Sequence, residues 1–324
     1  MSDKVLTICI PTFNRPEHLE LLLSEICNSE FNQYYEILVV DNGSDPETEL
    51  VINKFKDKFI SSSRLEVNEG LAPGLIACFQ NCKTKYLMMM ADDDKLLLSS
   101  MPQIIETIHK YDCDFLSTTW IGTNNRIIRT PGKLCEISLS EIRASSNHLP
   151  GIIFKTSLLP LFLTQLESRL VEGCYFAFFY PQIMILLLSY LEKKSLLACT
   201  IISGGYRKEV PEHTKLTDKN GENYGSFNVS LKIHLDMIAF CNKILVSVKD
   251  AKLNQELVHF IAFNNFNLFN STFYTISGMT NLEREYFLVG AILSALKNPL
   301  PIFKKIFSSF YSILLVKSRN SKWK

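Results

Sequence analysis

From Val5 to Ile202 the chain alternates short, nearly continuous apolar runs with segments of helical periodicity, joined by brief connections. Apolar runs with no polar face read as strands buried on both sides, and strands separated by helices imply a largely parallel sheet covered on both faces. The runs are Val5 to Ile10, Glu36 to Val40, Arg64 to Val67, Tyr86 to Met90, Asp114 to Trp120, Gly151 to Phe154 and Leu196 to Ile202. Helices are expected between them. The first opens at Pro16 and carries Leu19, Leu22, Leu23 and Ile26 on one face. A second starts at Asp45-Pro46, an N-cap followed by Pro at the first helical position, and runs to about Lys58. Others span Pro73 to Asn81, Ser99 to Lys110, Leu158 to Glu167 and Phe179 to Leu191. Beyond Gly204-Gly205 comes a polar loop, Lys208 to Tyr224, and then helical segments near Ser230 to Leu245, Leu253 to Phe273 and Asn281 to Leu296. The expectation is an α/β domain over residues 1–205 and a helical C-terminal region over 206–324.

Composition narrows the classes. The 324 residues are 47% hydrophobic, which supports a large core and excludes disorder. With 34 Lys+Arg against 33 Asp+Glu the net charge is +1, so nothing in the overall charge suits nucleic acid, and no nucleic-acid partner is expected. No apolar stretch approaches the roughly 20 residues of a spanning helix. Met1 to Lys4 leads directly into Val5 to Ile10 without the pattern of a signal peptide. The nine cysteines are an odd number with no C-x-x-C pair, as expected of reduced thiols in a cytoplasmic protein.

Ligands of open α/β sheets bind beyond the carboxyl ends of the strands. Three polar clusters sit at such ends: Thr12 to Arg15, Asp41 to Ser44, and Asp92 to Asp94. Three consecutive carboxylates repel one another and need either open solvent or a cation. Hard oxygen ligands of this kind suit Mg2+ or Mn2+. In an extended backbone Asp92 and Asp94 would point the same way. The competing reading is a solvated turn that caps the next helix. Asp41 can accept hydrogen bonds from a base or ribose, with Gly43 permitting close backbone approach, or it can simply form a turn. Thr12-Phe13-Asn14-Arg15 offers a hydroxyl, a ring and a guanidinium at a helix N-terminus, a place for phosphate or ribose; the alternative is a helix start with a surface arginine.

The segments Ile8-Cys9-Ile10-Pro11-Thr12-Phe13-Asn14-Arg15-Pro16, Ile37-Leu38-Val39-Val40-Asp41-Asn42-Gly43-Ser44, Asn68-Glu69-Gly70-Leu71 and Tyr86-Leu87-Met88-Met89-Met90-Ala91-Asp92-Asp93-Asp94 resemble, in order and spacing, the inverting glycosyltransferase family 2. That resemblance implies a GT-A fold, Rossmann-like, with a mostly parallel sheet and helices on both faces, extended here by C-terminal helices. It also implies a nucleoside-diphospho-sugar donor, Mg2+ or Mn2+ at the Asp-x-Asp-like motif, and transfer with inversion to a hydroxyl of a glycan or polyprenyl-linked acceptor in bacterial surface polysaccharide synthesis. Carried over by position, Thr12, Phe13 and Arg15 border the nucleotide, Asp41 the base, Asp92 the ribose and Asp93 the metal. Pro11, Asn42 and Asn68 complete the nucleotide-binding set, and Asp92, Asp93 and Asp94 all stand as metal-site candidates.

Two departures stand out. Asn42 replaces a second acid found before Gly-Ser in many relatives, which leaves the base open. Phe178-Phe179-Tyr180-Pro181-Gln182 replaces the Glu-Asp that supplies a general base, and is similar to a subset that includes abequosyltransferase-like O-antigen enzymes. Glu172 is the carboxylate assigned here as base, the alternative being a surface carboxylate at a helix end; Asp114, Glu209 and Glu212 are the other choices. Arg207 and His213 lie where relatives place a loop that closes over the donor diphosphate. The missing Glu-Asp also keeps a different class open, a non-catalytic nucleotide-binding scaffold of a synthesis complex. A nucleotidyltransferase would need an N-terminal Gly-rich phosphate loop and a Rossmann dehydrogenase a G-x-G-x-x-G; the chain has neither.

Residues 281–324 carry a net charge of +6, leaving −5 for the rest of the chain. Ile302-Phe303, Ile306, Phe307, Phe310, Tyr311 and Ile313 to Val316 lie between the lysines. An apolar stripe flanked by Lys fits an in-plane helix on anionic lipid, and the expectation is peripheral attachment to the inner face of the cell membrane. A helix packed on the core with a basic tail is the competing reading.

Overall fold

The computed structural model describes residues 4–58, 60–122, 127–129, 133–146, 148–207, 227–258 and 260–261. The chain divides into two compact units, Met1–Val229 and Ser230–Lys324. In the first unit β1 (Leu6–Thr12), α1 (Pro16–Cys27), β2 (Tyr35–Asp41), α2 (Pro46–Lys54), β3 (Ile60–Arg64), α3 (Leu71–Asn81) and β4 (Tyr86–Met89) alternate as the apolar runs require. They build a parallel block in the order β3-β2-β1-β4. Then come β5 (Asp94–Leu96), α4 (Met101–Tyr111), β6 (Phe115–Ile121), β7 (Ile127–Arg129), β8 (Cys135–Glu136), α5 (Ile142–Ser146), β9 (Ile152–Lys155), α6 (Leu159–Val171), α7 (Tyr175–Phe179), α8 (Pro181–Leu191) and β10 (Leu196–Tyr206). Here the sheet becomes mixed: β9 runs antiparallel between β4 and β6, β10 lies parallel to β6, and β5 closes the edge antiparallel to β10.

β1, β2 and β4 are buried on both faces, which is why these three strands are largely apolar, whereas β3 lies at the edge. Leu6, Ile8 and Ile10 of β1 pack with Leu19, Leu22 and Ile26 of α1, with α2, and with Ile104 and Ile108 of α4. The alternate residues Cys9, Leu38, Val40, Leu87 and Met89 are also buried, and α3 lies against β1 and β2. On that side Phe79 of α3 meets Phe154 and Phe162 at ring-centroid distances of 5.3 and 5.2 Å, and Phe115 joins Phe154 at 5.3 Å. Burying a side chain of this size contributes about 2 to 3 kcal/mol, so these contacts stabilise the sheet that carries the strand ends.

Four expectations change. The third strand is Ile60–Arg64, not Arg64 to Val67, because register with β2 sets Arg64 opposite Asp41 at an edge that tolerates the serines between them. α2 stops at Lys54, where turns take over through Phe55 N–H to Ile52 and Lys58 N–H to Phe55. The apolar helix expected from about Phe179 to Leu191 is α8 and begins at Pro181, which lacks an N–H and forces Tyr180 out of helical geometry, to φ −132° and ψ 50°, so that Phe179 ends the short α7 instead. The backbone also turns at the aspartates, Asp94 N–H bonding to Ala91 O, so the shared direction of Asp92 and Asp94 that an extended chain would give does not arise.

The remaining described residues include α9 (Phe227–Ser247) and a helical stretch at 251–258. Among the described residues no helix is long and apolar enough to cross a membrane. The helix expected at Asn281 to Leu296 and the basic tail lie outside the described residues.

Candidate active site

β2, β1 and β4 are neighbours running the same way, so the polar residues that follow them meet along one edge of the sheet. Thr12 Oγ1 donates to Asp92 Oδ2 at 2.7 Å. Arg15 Nη1 donates to Asp92 Oδ1 at 3.1 Å and to Asp93 Oδ2 at 2.7 Å. Burial pushes the Asp92 carboxyl up to about 6, the Arg15 charge working against it. Asp94 opens β5; burial and then the Asp93 charge push its carboxyl up to about 8, with Arg207 and Arg15 pulling the other way. Asp93 is the most exposed of the three, and Arg15 holds one of its oxygens.

A second network fixes the end of β2. Asp41 is buried and accepts from Ser44 N–H at 2.9 Å and from Arg64, whose other amine donates to Ser44 O. Gly43 has φ +75°, and a Cβ there would stand 2.6 Å from the Val67 carbonyl carbon, so this tight turn requires glycine. Asn42 Nδ2 donates to Asn68 Oδ1 and to Gly70 O at 2.9 and 3.0 Å, while its Oδ1 accepts from Glu69 N–H. The amide that stands in place of the second acid therefore braces the 68–70 loop. Asn14, at φ 52°, joins β1 to β2: its N–H donates to Ser44 Oγ and its Oδ1 accepts from Asp45 N–H. Pro11 and Phe13 flank Thr12 and are half-buried.

The other expected residues are placed apart from this cluster or used differently. Arg207 follows β10, and its guanidinium, 3% exposed, forms a two-pronged pair with Glu25 of α1 at 2.9 and 2.7 Å while donating to Asp94 O at 3.3 Å. Glu172 ends α6, exposed and paired with Arg169 at 2.7 Å. Its neighbours Val171 and Gly173, with Asn68, Glu69, Tyr175 and Phe178, line a cleft of about 650 Å3. Asp114 precedes β6, at the edge of the sheet opposite the cluster, and accepts from Ser195 N–H. At the start of α8 Gln182 is buried, its Nε2 donating to Ser146 O at 3.1 Å. Glu209, Glu212 and His213 lie outside the described residues.

Two residues escaped the sequence reading. Arg64 carries no motif, and only the register of β3 reveals that it neutralises Asp41. His148, in the segment between α5 and β9, places Nε2 3.5 Å from Asp94 Oδ2. No spacing in the sequence connects these two, since they meet only when β5 folds back on β10.

Residues 7–152 match the model of Glycosyl transferase family 2. The chain is 27% identical over 263 residues to abequosyltransferase RfbV of Salmonella typhimurium, covering 70% of this chain and 78% of that one. Among solved structures, it is similar to Staphylococcus aureus TarS 1-349 in complex with UDP-GlcNAc, with TM-score 0.64 and 18% identity over 88% of this chain and 79% of that one. It is also similar to the mannosyltransferase PcManGT from Pyrobaculum calidifontis in complex with GDP-Man and Mn2+, with TM-score 0.50 and 12% identity over 98% of this chain and 87% of that one. The GT-A fold expected from the sequence is thereby shown.

Proposed function

We propose that the chain, whose residues 7–152 match the model of Glycosyl transferase family 2, transfers a sugar, with inversion, from a nucleoside-diphospho-sugar to a hydroxyl of a glycan or polyprenyl-linked acceptor in bacterial surface polysaccharide synthesis. The observation that carries this reading is the convergence of Thr12, Arg15, Asp41 and Asp92 to Asp94 beyond adjacent strand ends, where Thr12 and Arg15 hold Asp92, Arg15 also holds Asp93, and Ser44 and Arg64 hold Asp41. The likeness to abequosyltransferase RfbV and to TarS supports it.

In this reading Asp41, oriented by Arg64, faces the base, and Asp92, oriented by Thr12 and Arg15, faces the ribose. Such preorganised hydrogen bonding positions the donor without reorganisation during the reaction. A divalent cation fits the residues present: the donors are hard carboxylate oxygens, and both Asp92 and Asp94 are held above their ordinary range by burial and by the Asp93 charge, which a cation would relieve. Asp94, with Asp93 beside it, would hold that cation. When bound it supplies charge neutralisation for the departing nucleoside diphosphate. The acceptor hydroxyl attacks the anomeric carbon as the bond to the diphosphate oxygen breaks, and its proton passes to a base, for which Glu172 is the carboxylate proposed.

A second reading, a nucleotide-binding scaffold without turnover, is favoured by one observation: α8 begins with the buried amide of Gln182 where an acid would serve. Incubation with UDP-, GDP-, CDP- and dTDP-sugars, with and without Mn2+, tests the choice by release of nucleoside diphosphate. Release in the presence of acceptor, with the product's anomeric configuration opposite to the donor's by NMR, is expected. Binding without release would favour the scaffold.

A further inference from the structure

His148 is held from three sides by the mixed half of the sheet. Its ring lies 5.5 Å from the Trp120 ring of β6 and 5.1 Å, edge-on, from the Tyr206 ring of β10. Tyr206 is the register partner of Asp94 across the β10–β5 ladder, and Gly204 is that of Trp120 across β10–β6. The imidazole and the Asp94 carboxylate are therefore brought together by two strand pairings and two aromatic contacts. The side chain of His148 is 18% exposed and that of Asp94 5%.

We propose that His148 Nε2 and Asp94 Oδ2 are two ligands of one divalent cation, and that this mixed nitrogen and oxygen pair makes the site prefer Mn2+ to Mg2+. The inference rests on the cation reading under Proposed function and narrows it.

The geometry suits the role. Donors on adjacent vertices of an octahedral ion with bonds of about 2.1 Å lie about 3 Å apart, and the Nε2 to Oδ2 separation of 3.5 Å closes to that with a small side-chain shift. Among the described residues no three His, Cys, Asp or Glu side chains converge on one point, so water and the donor's phosphates would fill the other positions, as they commonly do for such ions. The chemistry sets the preference. Mg2+ dehydrates reluctantly and keeps to oxygen, whereas first-row transition ions accept imidazole, and in general bind a given site more tightly along the series from Mn2+ onward. The competing explanation is that an imidazolium simply pairs with the Asp94 carboxylate, in which case His148 never touches a metal.

The full-length protein is titrated with Mn2+ and with Mg2+, each alone and with UDP, GDP or CDP, and bound Mn2+ is examined by pulsed electron paramagnetic resonance. A 14N coupling of the kind given by a coordinated imidazole is expected, changing to a 15N pattern when the unmutated protein is labelled with 15N-histidine. His148→Gln should abolish the coupling and weaken Mn2+ about tenfold or more, leaving Mg2+ within about twofold. Because the label marks all six histidines, His148→Asn serves in place of the glutamine variant if that one fails to fold. Mn2+ bound without nitrogen coupling, or with a coupling that survives His148→Gln, would overturn the proposal and leave the cation reading standing. No cation bound under any of these conditions would overturn both.

Discussion

At the carboxyl ends of β1, β2 and β4 the polar side chains hold one another: Thr12 and Arg15 on Asp92, Arg64 on Asp41, Asn42 on the 68–70 loop. At the α7–α8 corner the chain places Phe178, Tyr180, Pro181 and Gln182, held by packing of the Phe178 and Phe179 rings and by a hydrogen bond from the Gln182 amide to Ser146 O. One region is ordered by charge in low dielectric, the other by shape. On the function proposed above, the difference assigns donor recognition to the first half of the chain and leaves the second half to shape the surface beside it. Gly70 joins the two: with φ +92° it brings the 68–70 loop so close to α7 that a Cβ would stand 2.2 Å from Phe178 Cζ.

The comparison can be broken most sharply at Asp92. Asp92→Ala removes the acceptor of Thr12 and one of the two carboxylates that neutralise Arg15, which is largely buried. Urea unfolding should show a loss of about 2 to 3 kcal/mol, and nucleotide binding should disappear; a stable variant that still binds would mean the charge network does not organise this region. Gly70→Ala tests the junction. Positive φ and the clash with Phe178 should cost about 1 to 3 kcal/mol and disturb the cleft, detectable as a lower Tm and altered near-UV dichroism.

A pH series tests the charged side of the comparison. Asp92 at about 6 and Asp94 at about 8 both lie above the ordinary aspartate value of 3.8. Between about pH 4 and pH 8 the native state therefore holds more protons than the unfolded state, so these groups make stability fall as pH rises through that window and leave it flat below. Asp94→Asn should remove the upper part of the fall, between pH 6 and pH 8, and saturating Mn2+ should oppose it in the unmutated protein; an unchanged profile in both would contradict the burial argument. Arg64→Ala, at a half-exposed guanidinium, should cost about 1 kcal/mol and weaken nucleotide affinity by leaving buried Asp41 with only Ser44. Smallest is Glu172→Gln, exposed and paired only with Arg169 among the contacts described, which should leave stability within about 0.5 kcal/mol. Unchanged donor turnover in that variant would remove Glu172 as the base.

The two regions were also unequally legible in the sequence. β1, β2 and β4 are recognisable because strands buried on both faces must be continuously apolar, and their abrupt endings at Thr12, Asp41 and Asp92 mark the site. The partners of those residues were not visible. Arg64 is set opposite Asp41 by strand register, a long-range property, and the serines before it weaken the strand signal. His148 meets Asp94 only through the antiparallel return of β5 on β10, and β5 is too short, at three residues, to leave a periodic pattern. At α7–α8 the apolar pattern gave α8 to within two residues, but the short α7 before it left no periodic signal of its own.

The central claim is that the cluster beyond β1, β2 and β4 binds a nucleoside diphosphate together with a divalent cation. Isothermal titration of UDP, GDP, CDP and dTDP into the full chain, with and without Mn2+, tests it directly. Tight, Mn2+-dependent binding of at least one of them is predicted, weakened about tenfold or more in Asp93→Asn. No binding of any nucleotide under either condition would contradict it.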